Sequence, residues 1–283
     1  MTRPFGVKGR KRKKAEKYDP EDEDEETQPT ESEANRDMVE DSHEEEKPAE
    51  DAQGAAAVEE LEGIPIAPSE RNSDKSKIIF VLERASLEVA KVGKNYQLLN
   101  SDDHFNFLRK NNKNPADYRP DIVHQALLMI LDSPLNKAGR VQAVYVRTEK
   151  GVLFEVKPHV RIPRTFKRFS GIMLQLLQKL SITAAGKREK LLRVIKNPVT
   201  QHLPVGSRKI GFSYSSQKLV DMNDHVASIP SDTDLVFVVG AMAHGKVETD
   251  YTDEFLAISG YPLSAAYCLT RITGALEQKW KIL

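Results

Sequence analysis

The chain has 283 residues, 30% of them charged, with 42 Lys/Arg balanced by 42 Asp/Glu and a single cysteine, Cys268. One cysteine excludes an internal disulfide framework and a cysteine-based zinc site. No run of ~18 apolar residues is present to cross a bilayer, and no apolar core follows the basic N-terminus to act as a secretory signal. A soluble, intracellular protein without membrane contacts is expected.

The neutral total conceals an asymmetry. Residues 1–75 hold 12 basic and 23 acidic side chains, which leaves 30 and 19 for residues 76–283. An acidic arm is thus joined to a basic body, the distribution expected where the partner is a polyanion. Within the arm, residues 1–17 carry Arg3, Lys8, Arg10, Lys11, Arg12, Lys13, Lys14 and Lys17 against Glu16 alone. Such a run reads as a nuclear or nucleolar address, or as a flexible arm that touches RNA, and the two readings are compatible. From about Glu21 to Glu62 the composition is Glu, Asp, Ser, Ala and Pro, with too little apolar surface to offset the entropy of ordering. Residues 1–75 are therefore expected to be a disordered tail, and 76–283 to be the folded domain.

In the body, Lys77–Glu83 (KIIFVLE) is a short apolar run that reads as a buried strand. Further strands are predicted at Val141–Arg147, Val152–Val156, Lys190–Lys196, Lys209–Tyr214 and Asp234–Val239. Helical periodicity marks Ile122–Leu131, Thr165–Ile182 and Ser264–Trp280. In the second of these Phe166, Phe169, Met173, Leu176, Leu177 and Leu180 share one face. Thr165 stands where a capping residue belongs. Strands alternating with helices predict an α/β body.

Three stretches carry chemistry. Tyr118-Arg-Pro-Asp121 precedes the first helix, so Asp121 is either an N-cap or a carboxylate set beside a substrate, with Arg119 on a phosphate. Arg161-Ile-Pro-Arg-Thr-Phe-Lys-Arg168 packs four cations into eight residues at a helix start. Arg164 and Arg168 lie one turn apart there, suited to hold phosphates. A solvated basic face is the alternative. Third, Leu235–Val247 (LVFVVGAMAHGKV) runs from an apolar strand into a loop with Gly240 and Gly245. Its spacing approaches a P-loop, but Val247 replaces the Ser or Thr that would hold Mg²⁺. A second glycine-bearing loop, Ile258-Ser-Gly-Tyr-Pro-Leu-Ser264, leads into the last helix. The two loops either bracket a flat ligand at strand C-termini or serve as structural turns. No metal site accompanies His244, and Ser264 stands in no hydrolase elbow.

Taken in order, these stretches, with Asp132-Ser-Pro-Leu-Asn136, Leu174-Gln-Leu-Leu177, Lys196-Asn-Pro198 and Val239–Gly245, resemble the pseudouridine N1-specific methyltransferases of ribosome biogenesis. These belong to the SPOUT (α/β-knot) superfamily, and the likeness covers roughly residues 75–283. It implies an α/β fold with a deep C-terminal trefoil knot, a homodimer, and S-adenosyl-L-methionine as cofactor. By the same resemblance Gly240, Gly245, Ile258, Ser259, Gly260, Tyr261, Pro262, Leu263 and Ser216 would border the cofactor. Arg119, Arg161, Arg164 and Arg168 would bind small-subunit ribosomal RNA, with Asp121 helping to shape the substrate site. As a catalytic residue Asp121 would orient the base or take its proton, directly or through a water, the alternative being a structural role that ties Arg119 or the helix start. Gly260 stands where family members carry Asn. Small-subunit assembly factors or ribosomal proteins are the further partners implied, in the nucleus and nucleolus. The rival readings are an RNA-binding assembly factor without a required methylase activity and, less favoured, a P-loop nucleotide hydrolase.

Overall fold

The structure is a computed structural model that describes residues 76–184 and 188–283; the basic run 1–17, the acidic stretch 21–62 and the rest of the 1–75 tail lie outside the described residues. In chain order it begins with β1 (Ile78–Ala85), the hairpin strands β2 (Val89–Val92) and β3 (Asn95–Leu98), and a short helix α1 (Phe105–Lys110). There follow α2 (Pro120–Asp132), α3 (Pro134–Lys137), β4 (Val141–Thr148), β5 (Leu153–Val156) and α4 (Phe166–Lys179). Next come β6 (Ser181–Thr183), β7 (Lys190–Ile195), β8 (Arg208–Phe212), α5 (Met222–Ser228), β9 (Leu235–Gly240), β10 (Glu254–Leu256) and α6 (Ala265–Trp280).

Eight strands form one sheet in the order β10-β8-β9-β1-β4-β5-β7-β6, and β2 pairs only with β3. From β10 to β4 every pairing is parallel, while β5, β7 and β6 are added antiparallel. The fold is thus α/β with a mostly parallel sheet. The apolar runs of β1 and β9 follow from burial on both faces. Ile78, Phe80 and Leu82 join Phe237 and Val239 in the larger core, and the alternating Ile79 and Val81 join Val236 and Val238 in a smaller one.

The larger core is closed by helices. α4 contributes Phe169, Ile172, Met173 and Leu176, and α6 contributes Leu269, Ile272 and Leu276. The second face is covered partly by chain that follows β9: Val247 is buried there, with Met242, Tyr251 and Phe255 packed beside it. The segment after β9 is therefore not a free loop but half of a wall.

Two expectations about α4 change. Its last turn ends at Lys179, because Leu180 takes a left-handed conformation (φ 63°) and Ser181–Thr183 continue as a strand. Apolar spacing carried the expected helix through Ile182, but β6 uses that side chain against the same core. Thr165 does occupy the N-cap position, yet its side chain makes no capping hydrogen bond.

Candidate functional site

The parallel strands β8, β9 and β10 end side by side, and the loops leaving them (213–220, 241–253 and 257–264) form one side of a cleft of about 580 Å³. This is the place where open parallel sheets bind small molecules, and the volume suits one. The opposite wall is the start of α2, with Arg119, Asp121, Ile122 and Gln125, together with the start of α6.

Local sequence explains each wall. Gly240 closes β9, and a Cβ there would lie 2.7 Å from Met242 Sδ and 2.8 Å from Val247 Cγ2. Gly245 has φ +100°, a region side chains avoid, and a Cβ there would lie 2.9 Å from Arg84 Nη1. On the third loop the Tyr261 N–H donates to Ser259 Oγ at 3.0 Å, and the Tyr267 N–H donates to Ser264 Oγ at 3.2 Å, which caps α6. The first and third loops are laced together: Val220 N–H donates to the Ala257 carbonyl, and Ala257 N–H to the Lys218 carbonyl, each at 2.9 Å.

Seven of the nine expected cofactor residues line this cleft: Gly240, Gly245, Ile258, Ser259, Tyr261, Pro262 and Leu263. Gly260 and Ser216 do not line it. Ser216 instead donates its hydroxyl to the Phe255 carbonyl at 2.8 Å, tying its loop to β10. The lining also holds residues that sequence did not mark, among them Phe212, Tyr214, Gln125 and Met242. The P-loop reading finds no support in the backbone. No helix follows Gly245-Lys246 to receive phosphates; the chain runs to β10, and Val247 is buried. Cys268 lines the cleft as a buried thiol, pushed up to about 12 by desolvation and so held neutral.

Asp121 is not the N-cap of α2. The helix starts at Pro120, the N-cap position is Arg119, and Asp121 lies in the first turn. Its two oxygens face Arg119: Nε donates to Oδ1 at 2.8 Å and Nη2 to Oδ2 at 2.6 Å. The guanidinium holds the carboxyl below its ordinary value of 3.8.

The other three arginines stand outside the cleft, Arg161 and Arg164 on the turn before α4 and Arg168 in its first turn. Arg161, Arg164 and Arg168 are exposed, and Arg164 Nη2 lies 2.9 Å from Asp132 Oδ2 at the end of α2. This turn is fixed to α2 by His124, which is buried, stacks on Phe169 with ring centroids 4.4 Å apart, and hydrogen-bonds through Nε2 to the Pro163 carbonyl at 2.7 Å. The basic turn and the Arg119–Asp121 pair are thus mounted on the same helix.

A second layer behind the 241–253 loop escaped the sequence. Arg84, at the end of β1 with φ 57°, donates Nη1 to the Lys246 carbonyl at 3.1 Å and pairs with Glu149 at 2.9 Å. Glu83 is buried and accepts from Tyr251 Oη at 2.6 Å, with Arg147 Nη1 at 3.6 Å. Its backbone carbonyl accepts from the Ala241 N–H at 2.8 Å. Tyr251→Phe should therefore leave a buried carboxylate oxygen unpaired and cost about 1–3 kcal/mol. Chemical denaturation would read this as a lower midpoint, and an unchanged midpoint would mean that water reaches Glu83.

Comparisons with known proteins converge. The sequence profile described as EMG1/NEP1 methyltransferase matches residues 80–277. The chain is 55% identical over 207 residues to the ribosomal RNA small subunit methyltransferase NEP1 of Mus musculus, covering 73% of this chain and 83% of that protein. It is 54% identical over 210 residues to nep-1 of Caenorhabditis elegans, covering 74% and 90%. The crystal structure of Archaeoglobus fulgidus Nep1 bound to S-adenosylhomocysteine superposes with a TM-score of 0.60 at 25% identity, covering 73% of this chain and 99% of that one. With the matched span running from β1 through the cleft loops into α6, the chain belongs to the EMG1/NEP1 methyltransferase family.

Proposed function

We propose that this protein methylates the N1 position of a pseudouridine in small-subunit ribosomal RNA, with S-adenosylmethionine as donor. It would work as a homodimer, in the nucleolus, during assembly of the small subunit. The observation that carries this reading is the single cleft in which three loops at strand C-termini face the Arg119–Asp121 pair. The residues fit the cofactor. Gly240 lets Met242 and Val247 pack directly against the end of β9, and apolar Val239, Met242, Ile258 and Leu263 on the cleft lining offer a surface for a purine. The names of the relatives, and the S-adenosylhomocysteine in the archaeal neighbour, point the same way.

When bound, the cofactor supplies an already activated methyl group, so the chain needs no covalent nucleophile, and the neutral Cys268 thiol offers none. What remains for the protein is to seat an unpaired base in line with the donor. Arg119 lines the cleft, as does Lys246, and Asp121 fixes the plane of the Arg119 guanidinium. A carboxylate held below its ordinary value is a weak base, so Asp121 acts by orienting Arg119 and the base edge. Arg161, Arg164 and Arg168 hold the flanking phosphates.

Calorimetric titration of the full chain with S-adenosylmethionine and, separately, ATP–Mg²⁺ tests the cofactor. Methyl transfer is then compared on RNAs that carry pseudouridine or uridine at the same position. Donor binding with transfer to pseudouridine only is expected; RNA binding without transfer would leave an assembly factor. Arg164→Ala should weaken RNA binding and lower the slope of log affinity against log salt by about 0.7 for a single-stranded contact. An unaltered slope would place Arg164 with Asp132 alone.

A further inference from the structure

Between Val89 and Lys113 the chain carries Lys91, Lys94, Arg109, Lys110 and Lys113 against Asp102 and Asp103. Lys113 is paired with Glu88, whereas Lys91, Lys94, Arg109 and Lys110 have no ion-pair partner among the described residues. The segment is built to display them. β2 and β3 form a ribbon with Val92 opposite Asn95, so Gly93 and Lys94 make a two-residue turn, and Gly93 at φ +64° supplies the conformation that turn requires. Lys91 is the direct cross-strand partner of Tyr96, so both project from one face, and Tyr96 is 56% exposed.

α1 repeats the pairing. Phe105 is 49% exposed, with the Arg109 guanidinium 5.5 Å from its ring centroid. The two elements are locked together through buried His104. Its Nδ1 accepts from the Asn100 N–H at 3.1 Å, which leaves Nε2 to donate to Gln97 Oε1 at 2.9 Å. The residue after His104 is Phe105 and the one before Gln97 is Tyr96.

This arm is rooted at the mouth of the cleft. At its base Leu99 N–H donates to the Glu88 carbonyl at 2.8 Å and Ser101 N–H to the Tyr118 carbonyl at 2.9 Å. Tyr118 Oη reaches Glu88 Oε2 at 3.1 Å, and the next residue, Arg119, lines the cleft. The turn lies about 13 Å beyond this root, four strand residues away. β3 also packs against α4, whose first turn carries Arg168. Exposed aromatic rings interleaved with unpaired cations are what sequence-tolerant binding of single-stranded nucleic acid uses, through stacking and phosphate contact. A protein groove would instead present neighbouring apolar side chains, but the cross-strand neighbour on the Tyr96 face is the exposed Lys91.

We infer that the β2–β3 hairpin and α1, through Lys91, Lys94, Tyr96, Phe105 and Arg109, bind single-stranded RNA flanking the target nucleotide, as an anchor outside the cofactor cleft. This rests on the proposed RNA substrate. The test uses the full chain and two pseudouridine-containing RNAs, one limited to a target hairpin loop and one extended by single-stranded nucleotides on both sides. Wild-type protein should bind the extended RNA at least 10-fold more tightly. K91A/K94A should bind the two RNAs equally, with a salt slope on the extended RNA lower by about 1.4, since two phosphate contacts are lost. Tyr96→Ala should weaken binding of the extended RNA by about 5-fold or more. S-adenosylmethionine affinity should stay at the wild-type level in each variant, which reports an intact fold. Wild-type preference for the extended RNA retained in K91A/K94A and in Tyr96→Ala would overturn the inference while leaving the RNA substrate in place. Failure of the wild type to bind either RNA would overturn both.

Discussion

Gly211→Ala is expected to cost about 1–3 kcal/mol of stability and to reduce S-adenosylmethionine affinity more than 10-fold, although Gly211 is not part of the cleft lining. In β8 it sits directly opposite Phe255 of β10, and a Cβ would fall 2.4 Å from Cε1 and 2.6 Å from Cδ1 of that ring. The ring cannot yield by a small rotation, because it packs against the core on the second face of the sheet. β10 is only three residues long and lies at the sheet edge, so the strain is relieved by moving the strand. That strand carries the 257–264 loop and, through the Phe255 carbonyl and Ala257, holds the 213–220 loop as well. One methyl group thus displaces two sides of the cleft. Thermal denaturation should show a loss of about 2–4 °C for each kcal/mol in a domain of this size. Gly274→Ala is the control: it lies within α6 with open space around its Cβ position, so it should be neutral or stabilising by up to about 1 kcal/mol. Wild-type donor affinity in Gly211→Ala would show that β10 does not set the geometry of the loops.

How far this architecture could be read from sequence depends on where each element's information lies. β1 and β9 were visible as unbroken apolar runs because both of their faces are buried. α4 was visible because only one of its faces is, although Ile182 extended the apolar rhythm into what is a strand. The β2–β3 hairpin was missed because Leu98 is its only buried residue, and β10 because three residues at a sheet edge hold no period. The cleft followed the same rule. Glycines at strand ends announced two of its loops, since close backbone approach leaves a mark in the chain itself. The layer behind them left none: Arg84 meets Lys246, and Glu83 meets Tyr251, across more than 160 residues. Likewise the residues 118–121 looked like a helix cap with a carboxylate, and only the fold shows that carboxylate spent on its own neighbour, Arg119.

That pairing predicts the second large effect. If Asp121 acts by holding Arg119, the two residues form one functional unit, and their losses will not add. Arg119→Ala and Asp121→Asn should each lower kcat/KM for RNA by about 10–100-fold, with S-adenosylmethionine affinity unchanged, and the double variant should be little worse than Arg119→Ala. An Asp121 that took the N1 proton itself would behave differently, with a loss in kcat that persists when Arg119 is already gone. The pH dependence separates the same alternatives. Asp121 has its folded pKa depressed by Arg119, so the ion pair is fully formed above the ordinary carboxyl value of 3.8 and is lost only as pH falls through the lower folded value. Both partners are partly exposed, so the pair adds no more than about 1 kcal/mol to stability, and acid denaturation will not be governed by it. Methyl transfer should accordingly show no limb from Asp121 above about pH 4. A wild-type rate that rises through pH 5–7, and loses that rise in Asp121→Asn, would instead require a carboxylate freed from Arg119 when RNA binds and working as the base.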